Sequence, residues 1–549
     1  MGSRIGRPVA ALAGVLIAAA IAAAGNGTLY VDRTAPFGGD GQSWDTAFWF
    51  LKDGLDAARE SATAIEEIRV AGGVYFPDQD KAHLLGTDDR NATFTLVGGV
   101  AVVGGYAGFG AADPDERDID LYPTMLSGHI STYNWCYHVV TCKAQESAPV
   151  LDGVRIREGH AIGTCCVNDR GAGLYLSDSR LLVVDCRFIR NSAKNCAGGV
   201  WCAAADVVFV NCMFEQNVVT PGNSGAAIHD AYNSNVTLVD CRFLSNRIGM
   251  MTTGGGAVYV AEGSSLLADR SIFFANDASS GGAILNHGLG RLTNCLFIAN
   301  DALGDGYGEE WNGRGGAVLN TGRMRLTNCT FFANTARYSG GGIYSCDGRR
   351  RVRQSHAALG RSPTILTNCI LWDNMGTGDE ESQQIGAAEG ALCVNYSCIA
   401  GLTGELGGEG NIGEDPLFVD ETGGDGVCGT LDDDLHLMPG SPCIDAADNT
   451  AVPEHVETDL DGLPRFVDDP ATEDTGVGNG PIVDMGVYEF QVEPCPADVT
   501  DDGIVDVLDL LAVLGAWGAT DDLPEDVNSD GVVDVLDLLE VLGAWGPCS

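Results

Sequence analysis

One short phrase constrains this chain more than any other feature. It reads Asn or Asp, then Cys, a variable residue, Phe, and an Asn five places after the Cys. The copies are DCRFIRN (185–191), NCMFEQN (211–217), DCRFLSN (240–246), NCLFIAN (294–300), NCTFFAN (328–334) and NCILWDN (368–374). A divergent copy, RSIFFAN (270–276), has Ser271 in the Cys place. Glycine-rich starts alternate with these phrases: GAGLY (171), AGGVW (197), GAAIH (225), GGAVY (255), GGAIL (281), GGAVL (315) and GGGIY (340). A weaker, earlier copy is LDGVRIREG (151–159).

The period runs from the mid-twenties to about 40 residues, as expected when loops of unequal length interrupt a fixed unit. Within each phrase Cys and Phe alternate with variable residues, which is the period of a strand. No unit is long enough to bury its own apolar face, so the units must stack. Parallel stacking places like residues in ladders. Cys186, Cys212, Cys241, Cys295, Cys329 and Cys369 form one, packed inward as small apolar groups. Asn191, Asn217, Asn246, Asn276, Asn300, Asn334 and Asn374 form another, at a turn where amides bond along the stack. The glycines supply positive φ at the other corner.

These features resemble the right-handed parallel β-helix proteins, the architecture of pectate lyases and many secreted surface proteins. The fold class is therefore mainly β, a right-handed parallel β-helix solenoid, followed by a small all-α paired Ca²⁺-loop domain. Residues 25–149 read as the N-terminal cap and first coils. A helix is expected over Thr46–Ala58 from Phe48, Leu51, Leu55 and Ala58, with strands at 28–32, 68–70 and 74–76. Residues 150–400 hold the repeats. Residues 401–491 change grammar and resemble the segment that closes β-helices of exported bacterial proteins. Its Asp-rich stretches at 423–435 and 458–470 suit either Ca²⁺ or solvated loops.

The N-terminus reads as an export signal over residues 1–24. Arg4 and Arg7 precede an apolar run from Val9 to Ala24 that ends in small residues. An uncleaved anchor is the alternative. No later run is apolar enough to span a bilayer, so no membrane span is expected after cleavage, and the protein is placed outside the cytoplasm or at the cell surface. Nineteen cysteines suit that compartment. Off-ladder candidates for disulfides are Cys136 with Cys142, Cys196 with Cys202, Cys393 with Cys398, and Cys428 with Cys443.

The chain carries a formal charge of −45, which excludes nucleic acid as a partner. No Lys or Arg follows Arg465. In that tail, DVTDDGIVDVLDLLAVLGAWG (498–518) is repeated as DVNSDGVVDVLDLLEVLGAWG (526–546). A twelve-residue Ca²⁺ loop needs oxygen at positions 1, 3, 5, 9 and 12, a carbonyl at 7 and Gly at 6. The first copy supplies Asp498, Thr500, Asp502, Ile504 (carbonyl), Asp506 and Asp509. The second supplies Asp526, Asn528, Asp530, Val532 (carbonyl), Asp534 and Asp537. Each loop runs into an apolar helix, and the spacing is 28 residues.

This pair resembles a dockerin type I domain, here residues 495–549. The resemblance implies two Ca²⁺ ions and a cohesin-like protein or other cell-surface partner. Dockerins often carry a hydroxyl pair at loop positions 10 and 11, where this chain has Val507-Leu508 and Val535-Leu536. That departure points to a more apolar partner surface or to packing within the module. Cys495 and Cys548 bracket the duplication, and an approximate two-fold would join them.

Catalysis by the β-helix is left open. Neither the carboxylate cluster with Arg or Lys base of pectate lyases nor the Asp pair with His of polygalacturonases is complete. Asn286-His287-Gly288 with Arg291 is the nearest fragment, and Arg349, Arg350, Arg351 and Arg353 are the basic cluster. The function expected is therefore binding of a glycan or cell-surface material by an exported modular protein. The alternatives are a polysaccharide lyase or hydrolase acting on acidic polysaccharide, and an adhesin.

Overall fold

The computed structural model describes residues 27–547, apart from 62–63, 165–166, 221–223, 250–253, 305–311, 347–363, 389, 492–494, 501–503 and 521–522. Among the described residues the main stack contains four parallel sheets, of 12, 11, 10 and 7 strands. One coil shows the path. Leu174–Ser177 lies in the 10-stranded sheet and Arg180–Val184 in the 12-stranded sheet. Arg187–Ile189 follows in the 11-stranded sheet and Ser192–Ala193 in the 7-stranded sheet. The next coil repeats this with Val200–Ala203, Asp206–Val210, Met213–Glu215 and Val218–Val219, each paired in parallel with its predecessor. The chain is a parallel β-helix, mainly β with few helices.

The corners explain the repeated phrase. The residue before each ladder Cys is left-handed, from Asp185 (φ 51°) to Asn328 (φ 50°) and Asn368 (φ 59°). Asn and Asp tolerate that region best among residues with a Cβ. A second left-handed corner precedes each ladder Asn, as at Arg190 (φ 52°) and Ala299 (φ 52°). The glycine corner is real too, for example Gly281 (φ 60°) and Gly315 (φ 67°), but positive φ is not confined to it.

The interior is laddered. The rings of Phe188, Phe214, Phe243, Phe273, Phe297 and Phe331 stack with centroids 4.6–4.9 Å apart and planes within 6°. That spacing is the strand separation itself. The six ladder cysteines are buried free thiols. The asparagines are buried, and each side chain from Asn191 to Asn334 donates to the next Oδ1 at 2.9–3.1 Å. Each also donates to a carbonyl of the preceding coil, as Asn217 does to Phe188 at 2.8 Å. Gln384 receives the last of these bonds, from Asn374 at 2.8 Å. Every amide in the run is thereby satisfied on both its donor and acceptor sides.

The N-terminal helix begins later than expected, at Leu51–Glu60, and buries Leu51 and Leu55 at the end of the stack. Phe48 instead extends the sheet edge: its N–H donates to Tyr30 O, and its carbonyl accepts from Asp32 N. The backbone bonds to Tyr30 and Asp32 therefore override the helical spacing of Phe48.

The four off-ladder disulfides are corrected. Cys136, Cys142, Cys196, Cys202, Cys393, Cys398, Cys428 and Cys443 are all free. Parallel stacking makes residues one coil apart neighbours and sends residues five or six apart along the chain onward round the coil, across a corner at Tyr396 for Cys393 and Cys398. Cys428 is exposed against Asp373, whereas Cys443 is fully buried. Cys142 and Cys202 accordingly flank Leu176 in one sheet. Cys398 shares a buried apolar cluster with Cys443, not a bond with Cys393.

Residues 412–490 fold back onto the outer face of the 11-stranded sheet. Phe418, Leu435, Leu437, Ile444, Val483 and Met485 cover Leu296, Ile298, Phe332 and Ile370. Arg465 lies at the centre of this segment with no exposed surface and pairs with Glu489 at 3.6 Å. The backbone N–H groups of Asp484 and Phe490 donate to Glu489 and Asp484 at 3.0 and 2.6 Å. Asp459 accepts from the N–H groups of Asp461, Leu463 and Glu489. The Asp-rich stretch 423–435 is likewise made of turns, with Asp433 accepting from the N–H groups of Gly429 and Thr430.

Candidate functional site

Two surfaces stand out, one at the C-terminus and one on the coils. In the C-terminal segment, helices Val507–Gly515 and Val535–Gly543 are related by the 28-residue repeat. Val505, Val513, Val533 and Val541 form its buried centre with Ala497. The halves are joined by Gly518 N–H to Val533 O at 2.8 Å and Val533 N–H to Ala519 O at 3.0 Å. Ile504–Val505 and Gly546–Pro547 add a small antiparallel pairing. Cys495 is disulfide-bonded, whereas every other described cysteine is free. The expected partner, Cys548, lies outside the described residues, as do Asp502, the segment 1–24 and the cluster Arg349–Arg353.

The loop residues have definite roles. Asp506 and Asp534 cap the helices, accepting from Leu508 and Leu536 N–H at 2.7 Å. Asp509 and Asp537, buried at N3, accept back from Asp506 and Asp534 N–H at 2.7 Å. Asp509 also accepts from Thr500 N–H, and Asp537 from Asn528 N–H. These contacts hold both carboxyls below the ordinary Asp value against the opposing effect of burial. Asp526 accepts from Asp530 and Gly531 N–H, and Asn528 from Asp530 N–H, curling the loop around Gly531 (φ 92°). Asp498 is linked to Thr500 Oγ1 at 3.5 Å. Ile504 and Val532 sit at the carbonyl positions, beyond the turn. The donor set is oxygen throughout and fits a hard cation.

Beside these loops the helices expose twin apolar faces. Val507, Leu508, Leu511, Leu514 and Trp517 are 47–56% exposed, and Val535, Leu536, Leu539, Leu542 and Trp545 are 48–56% exposed. Of the two fates open to Val507-Leu508 and Val535-Leu536, the structure shows exposure, not internal packing.

On the coils, the outer face of the 11-stranded sheet changes character along the stack. Met125, Arg155, Arg187, Met213 and Arg242 form one outward column. From Ile272 and Phe274 onward the outward positions turn largely apolar, and residues 412–490 cover them. A cleft of about 90 Å³ opens among Met125, Arg155, Arg157, Glu158, Ile189 and Arg190. Asp120 bridges Arg155 at 2.9 Å and Arg187 at 2.7 Å. Its sequence signal was present: Arg187 and Arg242 are the outward residue of DCRF, and Arg155 and Arg157 the outward residues of VRIR.

The Asn286-His287-Gly288 fragment lies at the turn between strands Ile284–Asn286 and Leu289–Thr293, the second of which carries Arg291. Asn286 points inward, fully buried, and donates to Asn320 at 2.8 Å, while His287 meets the Thr321 hydroxyl. Asp230, His229 and His138, whose ionisation is strongly displaced by burial, are likewise enclosed.

A family model described as "right handed beta helix region" matches residues 152–383. The coils are thus a right-handed parallel β-helix. Among solved structures, the crystal structure of pectate lyase Pel9A is 13% identical, with 84% of this chain and 96% of that chain covered and a TM-score of 0.46. The structure of PL6 family alginate lyase AlyGC is 11% identical, covering 66% of this chain and 49% of that one, with a TM-score of 0.24. No curated protein matches.

Proposed function

We propose that the chain is an exported modular binding protein. Its β-helix presents an arginine-bearing face to an acidic glycan or cell-surface material, and its C-terminal module docks to a cohesin-like or other surface partner when loaded with Ca²⁺. The observation that carries this reading is the pair of twin apolar faces on the two terminal helices. Ten large apolar side chains left half-exposed in register make a surface of the kind that marks protein association. Residues 495–548 hold thirteen acidic and no basic side chains, so they repel one another without a cation.

In this reading Asp498, Thr500, Asp502, Asp506 and Asp509, with the Ile504 carbonyl, hold one ion. Asp526, Asn528, Asp530, Asp534 and Asp537, with the Val532 carbonyl, hold the other. Bound Ca²⁺ supplies the countercharge that lets each loop close on its helix. On the coils, Arg155, Arg157, Arg187 and Arg190 supply guanidinium forks suited to uronate carboxylates.

The test compares the full chain in Ca²⁺ and in EDTA. Far-ultraviolet circular dichroism should lose helical signal on chelation, and Trp517 and Trp545 emission should shift. Immobilised polyuronate should retain the chain and release it in Arg155→Ala/Arg187→Ala. Unchanged dichroism and emission overturn the calcium-gated docking, and equal retention of the variant overturns the glycan face. Bond cleavage with product release would place the protein among the lyases or hydrolases instead.

A further inference from the structure

We propose that Asp445, Asp468 and Asp474 form a calcium site within the closing segment, separate from the C-terminal loops. Each offers a carboxylate oxygen, and these oxygens lie within 4.8 Å of one another. The loop 468–476 is wrapped onto Asp445 by three bonds. Asp469 N–H donates to Asp445 Oδ2 at 3.2 Å, and Thr475 and Gly476 N–H donate to its carbonyl at 3.0 Å. This fixes both exposed carboxylates, Asp468 and Asp474, against a buried one.

The independent sign of a ligand is Asp445 itself. The residue has no exposed surface, and its Oδ1 is enclosed without a hydrogen-bond partner. A buried carboxylate oxygen left unpaired is costly. The charged groups that act on Asp445 include Asp468, Asp474, Asp469 and Asp484, all of its own sign. Arg465 pairs with Glu489. What would complete the site is a positive charge.

Ligand number and flexibility favour Ca²⁺, which takes six to eight oxygens in adaptable geometry, whereas Mg²⁺ demands a near-ideal octahedron. Three carboxylates within 4.8 Å of one another, two of them on an exposed loop, suit the more adaptable ion. The exposure of Asp468 and Asp474 leaves room for water in the remaining positions. Bound there, Ca²⁺ would pin the loop 468–476 to the part of the closing segment that covers the coils.

The experiment uses the full chain, stripped with EDTA and returned to CaCl₂. Bound ions are counted by native mass spectrometry and affinities read by calorimetry. Wild type is compared with Asp468→Asn/Asp474→Asn, both exposed positions that the fold tolerates, and with Asp498→Asn/Asp526→Asn in the terminal loops. The first variant should hold one ion fewer than wild type. The second should retain the closing-segment ion, and adding Asp445→Asn to it should weaken that ion at least tenfold. An equal ion count in wild type and Asp468→Asn/Asp474→Asn overturns the site. Because the count is a difference between chains with identical terminal loops, failure of those loops to bind would be seen separately.

Discussion

Arg465 and Glu489 face each other at 3.6 Å with neither side chain exposed to solvent. The pair sits where residues 412–490 press onto the outer strands, and the Arg465 guanidinium also donates to the Gly486 carbonyl. Removing one partner strands the other charge in a dry site. Arg465→Met or Glu489→Gln should each destabilise the closing segment by roughly 3–5 kcal/mol. The double variant should lose less than the sum. Limited proteolysis within 412–490, alongside the thermal transition, reads this out. Additive losses would mean that the two residues act independently.

The asparagine ladder makes a prediction about its middle. Asn276 accepts from both the N–H and the side chain of Asn246 and donates to Asn300 and the Phe243 carbonyl. Asn276→Ala leaves several enclosed groups without partners, each costing about 1–3 kcal/mol. Truncating the ladder thiol Cys186 to Ala removes one small apolar contact and should cost far less. Urea midpoints of the two variants compare them directly. Equal losses would show that the amides are replaceable by water.

Asp230 gives the fold a pH dependence. It occupies an inward position between Cys202 and Val260 and has no exposed surface. Burial pushes its pKa up to about 8, against a smaller opposing effect of Ser264. Between about pH 4 and pH 8 the folded chain holds a proton that the unfolded chain has lost. Stability therefore declines with rising pH across that window, by about 1.4 kcal/mol per unit from this group, and levels off above it. Asp230→Asn removes the decline. Its advantage over wild type should widen from pH 5 to pH 8 in thermal unfolding, and a constant gap would refute the assignment.

Cys428 and Cys393 are both exposed but should not react alike. Cys428 Sγ donates to Asp373 Oδ2 at 3.2 Å, and burial together with that carboxylate pushes the thiol up to about 12. Iodoacetamide at pH 8 should label Cys393 first. Asp373→Asn should then speed labelling of Cys428 severalfold, with peptide mass mapping as the readout. An unchanged rate would leave the carboxylate without influence.

Much of the coil was legible because each position recurs. The alternation of Cys186 and Phe188 declares which side faces in, and Asn191 to Asn374 align without knowledge of the loops. What lies between coils was harder. The arginine column joins residues 155, 187 and 242, which become neighbours only once every loop length is subtracted. The closing segment was hardest. Asn294 binds Thr458, Asn328 binds Asp484, and Val487 binds Thr330, at separations of 156–164 residues. No periodicity announces such contacts. The terminal duplication was the opposite case, since the caps Asp506 and Asp534 and the helices that follow them repeat locally.

The outer face of the 11-stranded sheet, charged along the early coils and apolar beneath residues 412–490, gives the molecule a growth direction. A coil duplicated among the early, arginine-bearing turns would add one rung to the asparagine ladder and displace nothing that leans on it. A coil duplicated after Ile272 would slide Phe418, Met485 and their neighbours off the side chains they cover. Gene duplication can lengthen one end of this rod freely, while the other end keeps a fixed gauge.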